Sequence, residues 1–129
     1  MSGKDKYLVD TNILIYFLEG EKVAVSFFKK IIDEDIYISL INKIEVLSFP
    51  DLSEKEEKSI SMFLSNFITL EINNTVAEET IRIRKKYRLK LPDAVICATS
   101  IIHDKILVSR NEKDFIRVNE LKFLNPYHA

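Results

Sequence analysis

Four acidic residues stand where apolar runs break, a placement that serves chemistry better than packing. Asp10 ends the run Tyr7-Leu8-Val9 and is followed by Thr11-Asn12-Ile13-Leu14-Ile15. Glu45 lies in Ser39-Leu40-Ile41-Asn42-Lys43-Ile44-Glu45-Val46-Leu47, Asp93 in Leu91-Pro92-Asp93-Ala94-Val95-Ile96, and Asp114 in Val108-Ser109-Arg110-Asn111-Glu112-Lys113-Asp114-Phe115. Each follows a strand-like run or opens the helix-like run behind one. In open α/β sheets, ligands collect beyond the carboxyl ends of the strands. The flanks of Asp10 and Asp93 are apolar, so both carboxylates border a buried layer. Clustered there they repel one another, and one takes up a proton unless a cation joins them. A hard divalent ion suits all-oxygen ligands: Mg²⁺, with Mn²⁺ as a substitute. Held by carboxylates, such an ion activates water and neutralises charge on a phosphate during in-line displacement. The chemistry implied is metal-dependent phosphodiester hydrolysis.

Taken singly, each acid has a plainer explanation. Asp93 complements a helix dipole from the first turn. Asp10 caps the helix that follows it. Glu45 sits on a solvated helical face, and Asp114 shares a charged loop with Glu112. Four such coincidences on one edge of one sheet are the poorer account.

The elements that must position these residues alternate. Strands are expected at Tyr7–Val9, Ile36–Ser39, Phe67–Leu70 and Ile106–Ser109, with a fifth at Lys122–Leu124. Helices are expected at Thr11–Leu18, Lys22–Asp33 and Asn42–Leu47. A further helix opens on the capping box Ser53-Glu54-Lys55-Glu56 and runs to about Asn66. Asn73 or Thr75 caps the next, which ends near Tyr87, and Pro92 begins one that ends near His103. Strands separated by helices imply right-handed crossovers and a mainly parallel sheet of four to five strands. The fold class is therefore a three-layer α/β/α domain.

The 129 residues suit one domain, 1–129, with only 2 Gly and 3 Pro and so little linker-like sequence. Lys+Arg at 19 against Asp+Glu at 20 gives a net charge of -1, so only local clusters can speak for a polyanionic partner. The single cysteine, Cys97, excludes an intramolecular disulfide and fits a cytoplasmic setting. No signal-peptide pattern precedes the first strand, and no apolar stretch approaches the roughly 20 residues of a membrane span.

These motifs resemble those of the PIN-domain ribonucleases, and within them the toxin half of type II VapBC toxin–antitoxin pairs. The likeness runs in order from Val9-Asp10-Thr11-Asn12 to Ser109-Arg110-Asn111-Glu112-Lys113-Asp114-Phe115 and covers nearly the whole chain. It implies an Mg²⁺-dependent endoribonuclease that leaves 3′-hydroxyl and 5′-phosphate ends, with a small cognate antitoxin as partner and a homodimer as assembly. Carried over by position, the catalytic acids are Asp10, Glu45, Asp93 and Asp114. Asp10 and Asp93 are the direct metal ligands, and Glu45 completes the site or orients water. Thr11 or Asn12, and Ser109, hydrogen-bond the carboxylates. The pattern departs at Asn111, where many PIN domains place an acid. Either Asn111 contributes its amide oxygen, or Asp114 supplies the fourth charge. A stand-alone RNA-processing nuclease and a non-catalytic RNA- or protein-binding module are the other readings within this fold.

Arg82, Arg84, Lys85, Lys86, Arg88 and Lys90 concentrate positive charge just before Asp93. A phosphate backbone approaching an acidic pocket needs such a counterweight, and Arg82, Lys85, Lys86 and Arg88 are the expected RNA contacts. Tyr87 stacks on a base or joins the core. His103 and His128 lack ligand-like spacing for zinc. Phe17, Leu18, Phe27, Phe28, Phe49, Met62, Phe63 and Phe67 exceed what a small core obviously needs; core burial is the default for any one of them, and some could form a homodimer face or a groove for an antitoxin helix. A haloacid-type phosphatase needs an acid where Asn12 stands, and a receiver domain needs an acidic pair at the first strand.

Overall fold

The computed structural model describes residues 6–128. Its strands are β1 (Tyr7–Val9), β2 (Ile36–Ser39), β3 (Ile68–Leu70), β4 (Ile106–Val108) and β5 (Lys122–Leu124). All pair in parallel in the order β3-β2-β1-β4-β5. The helices are α1 (Thr11–Leu18), α2 (Lys22–Lys30), α3 (Leu40–Leu47), α4 (Glu54–Leu64), α5 (Asn74–Tyr87), α6 (Leu91–Ile102) and α7 (Glu112–Phe115).

Side chains alternate across a strand, so a sheet covered on both faces needs apolar residues at every position. Leu8 and Leu107 enter a core formed with Ile83, Ile96, Cys97 and Phe115, beneath α5, α6 and α7. Val9, Ile38 and Val108 enter a second core with Ile13, Leu14, Phe28, Val46 and Leu64, beneath α1 to α4. Three layers follow. The chain first moves from β1 to β2 and β3 and then crosses back to β4. With right-handed crossovers that reversal sends the later helices to the opposite face. The reversal point lies between β1 and β4, and in open α/β sheets ligands collect beyond the carboxyl ends of the strands at such a point.

Local chemistry sets most boundaries. In the capping box at α4, Glu56 N donates to Ser53 Oγ and Ser53 N donates to Glu56 Oε1. Asn73, rather than Thr75, caps α5, accepting from Val76 N at 2.9 Å. Helix α2 stops at Lys30, three residues before Asp33, because Asp33, Glu34 and Asp35 would crowd the negative end of its dipole. Helix α3 begins at Leu40 rather than Asn42, since Ser39 is its cap and Asn42 already lies within its first turn. The short α7 was not expected.

The surplus of aromatic residues is mostly core. Phe17 stacks on Phe63 at 5.2 Å between ring centroids and meets Phe28 edge-on at 4.7 Å, and Phe63 meets Phe67 edge-on at 5.1 Å. Leu18, Phe49 and Met62 are the members of that set left exposed. No helix among the described residues is long and apolar enough to cross a membrane.

Candidate active site

Strands β1, β2 and β4 each end in a polar residue that turns back into the sheet edge. Asp10 extends the β1 ladder by one bond, its N–H donating to Val108 O at 2.9 Å, and then caps α1. The residue is 5% exposed. Oδ1 accepts from Thr11 N at 2.8 Å, and Oδ2 accepts from Ser109 Oγ, at the end of β4, at 2.7 Å. The plain explanation of Asp10 as a helix cap is therefore true, but it uses only one of the two carboxylate oxygens.

Glu45 projects from α3 toward the same edge, its Oε1 accepting from Thr11 Oγ1 at 2.7 Å. Asp93 lies in the first turn of α6, behind Lys90 and Pro92. Asp114 lies on α7 and accepts from Asn111 Nδ2 at 3.3 Å. The four acids share an electrostatic field. Burial pushes Asp10 up to about 6, against the hydrogen bonds from Ser109 and Thr11, and Asp93 and Glu45 add to the rise. Burial also raises Asp93, with Asp114 and Glu45 adding to it and Lys90 opposing. Among the described residues neither Asp10, Glu45 nor Asp93 forms an ion pair.

The expected supporting residues divide. Thr11 and Ser109 touch carboxylates directly, while Asn12 acts one step back, its Nδ2 donating to Ser109 Oγ at 3.3 Å. Asn111 donates its backbone N–H to the same oxygen at 3.0 Å, so Ser109 has its lone pairs occupied and its proton directed to Asp10. The Asn111 side-chain amide steadies Asp114, which joins the two alternatives left open by the sequence. Sequence reasoning missed Asn42, which is fully buried beside Thr11. Its signal was a capping pattern, Ser39-x-x-Asn42, directly after a strand.

The donors are all oxygen, and although Arg117 lies 4.0 Å from Asp114, Asp10, Glu45 and Asp93 have no ion-pair partner among the described residues, which suits a hard divalent cation. Among the described residues, no three Asp, Glu, His or Cys side chains converge closely enough to hold a metal by themselves. Mg²⁺ does not require that, since it commonly takes one or two carboxylates and fills its octahedron with water.

The basic run on α5 is largely spent within the fold. Arg82 pairs with Glu79 at 2.7 Å and Glu120 at 3.1 Å, and Lys86 with Glu120 at 3.4 Å. Arg84 Nε donates to Leu89 O at 3.3 Å. Tyr87 is buried and donates its hydroxyl to Glu120, so it belongs to the core. Lys85 and Arg88 stay exposed, with Arg88 closing α5 at φ 55. Burial pushes the Cys97 thiol up to about 12, which makes it inert.

The PIN domain family model matches residues 7–121, which takes in all four acids and every strand up to β4. The chain belongs to the PIN domain family. Among curated relatives, this PIN domain is 29% identical to ribonuclease VapC2 of Methanocaldococcus jannaschii over 140 aligned positions, covering 94% of each chain. Among solved structures, it superposes on a chain of a toxin–antitoxin complex from Klebsiella pneumoniae with a TM-score of 0.82 at 35% identity, covering 95% of this chain and 98% of that one. FitAcB from Neisseria gonorrhoeae, at 23% identity and a TM-score of 0.82, shares the fold and covers 95% of this chain and 99% of its own. The likeness of this PIN domain to the VapC relative thus extends over 94% of the chain.

Proposed function

We propose that this chain is an endoribonuclease dependent on a divalent cation, Mg²⁺ or its substitute Mn²⁺, and that it is the toxin half of a toxin–antitoxin pair. The observation that carries the reading is Asp10: a residue 5% exposed, its carboxylate hydrogen-bonded at both oxygens and beside two further acids, with no cationic side chain paired to it among the described residues. A fold does not keep such a charge for stability, because ionising it there costs free energy. Likeness to a VapC ribonuclease and to a chain of a toxin–antitoxin complex supports the same conclusion.

In this reading Asp10 and Asp93 hold the cation. When bound, the ion supplies activation of water and neutralisation of charge on the scissile phosphate. Ser109 and the Thr11 N–H keep Asp10 ionised and aimed. Glu45, held by the Thr11 hydroxyl, orients the attacking water and draws its proton. Asp114, steadied by Asn111, adds a fourth charge at the outer side. A single-stranded or structured RNA meets Lys85 and Arg88 on its way to the acids. A small antitoxin, a homodimeric assembly and a cytoplasmic location complete the proposal.

Asp10→Asn tests it, since this substitution removes a ligand charge without changing shape. Cleavage of RNA in Mg²⁺ should fall by more than about 100-fold while the circular dichroism spectrum is unchanged. Full activity in that variant, or in wild type with excess chelator, would sink the mechanism.

A further inference from the structure

Asn42 is fully buried, lies on α3 one turn from Glu45, and uses both ends of its amide. Its Oδ1 accepts from Ser39 N at 2.7 Å, which completes the cap of α3. That half of the side chain is structural. The other half reaches across to a different element, Nδ2 donating to Thr11 Oγ1 at 2.9 Å, and Thr11 Oγ1 in turn meets Glu45 Oε1 at 2.7 Å.

The direction of this relay is not arbitrary. A backbone N–H can only donate, so the amide oxygen must face Ser39 and the amide nitrogen must face Thr11. Thr11 Oγ1 then accepts from Asn42, and its single proton is left for Glu45, which as a carboxylate can only accept. We propose that Asn42 is a positioning residue for the nuclease reaction: it holds the Thr11 hydroxyl as a donor, and that donor keeps Glu45 turned toward Asp10 and Asp93. The inference rests on the nuclease reading above. A helix cap alone needs only an acceptor at position 42, and a carboxylate would serve it equally well. The amide donor is what the relay adds.

Asn42→Asp separates the two halves. The carboxylate still accepts from Ser39 N, but it no longer donates to Thr11 and instead competes with Glu45 for the threonine proton. With RNA as substrate and Mg²⁺ present, kcat should fall by about 10- to 100-fold with KM little changed. Thr11→Val should show a similar loss, and adding Asn42→Asp to Thr11→Val should cost no more. A crystal structure of Asn42→Asp should keep the bond from Ser39 N while the contact between Thr11 Oγ1 and Glu45 lengthens beyond hydrogen bonding. Should that variant fail to fold, Asn42→Ser, too short to reach Thr11, takes its place in the same cycle. Wild-type kcat in the position 42 variant, or losses that multiply independently in the double variant, would overturn the inference while Asp10→Asn remained inactive. RNA cleavage surviving in Asp10→Asn would instead overturn the nuclease reading, and the positioning role with it.

Discussion

At the scale of single residues, Asp10 links stability to pH in a direction opposite to most carboxylates. Its folded-state value, about 6, lies above the ordinary 3.8, with burial the main cause. The folded chain therefore binds the Asp10 proton more tightly than the unfolded chain does. Below pH 4 both states are protonated and nothing is lost. As pH rises through 6 the proton leaves and the penalty of a buried charge appears in full. Each pH unit of the difference is worth about 1.4 kcal/mol, so ionised Asp10 costs about 3 kcal/mol in the cation-free protein. Asp10→Asn should accordingly melt higher than wild type at pH 7.5 in chelator, with the gap closing toward pH 4. Adding Mg²⁺ should raise the melting temperature of wild type alone. A gap independent of pH in thermal melts would show that the carboxylate carries no such penalty.

At the scale of elements, the boundaries read correctly from sequence are those where a cap or a strand's apolar run acts locally. Ser53 and Glu56 satisfy each other's backbone donors whatever lies around them, and that box is exposed. Ser53→Ala should lower stability by about 1 kcal/mol, visible as a small shift in the denaturation midpoint, and leave RNA cleavage unchanged. Elsewhere the elements depended on neighbours. Helix α3 began two residues early because Ser39 stands at the end of a strand and is free to cap. Helix α7, only four residues long, exists because Phe115 anchors it in the core beneath α5 and α6. A segment so short carries too little periodicity to be recognised alone.

At the scale of the whole molecule, the sheet edge between β1 and β4 is acidic, and the RNA substrate proposed above would need help to reach it. Glu79 and Glu120 neutralise Arg82 and Lys86, which the linear charge run could not reveal, since Glu120 lies 38 residues beyond Arg82. Lys85, Arg88 and Lys90 are exposed cations of that run outside the ion pairs of the described residues, and Lys90 lies closest to Asp93 in the chain. In the Asp10→Asn background, replacing Lys85 and Arg88 by alanine should weaken RNA binding. It should also flatten the plot of log affinity against log salt by about 1.4, from two single-strand contacts of about 0.7 each. An unchanged slope in fluorescence anisotropy titrations would return that face to plain surface. The amino-acid sequence by itself determined the class of the domain, the family and the four acids. Apolar runs, caps and motif order are local and survive without neighbours. Tertiary structure alone decided which polar atoms share protons. Ser109 reaches Asp10 across 99 positions, Asn42 reaches Thr11 across 31, and Glu120 pairs with Arg82 and Lys86 of the basic run. Hydrogen bonds act over about 3 Å in space and take no account of separation along the chain.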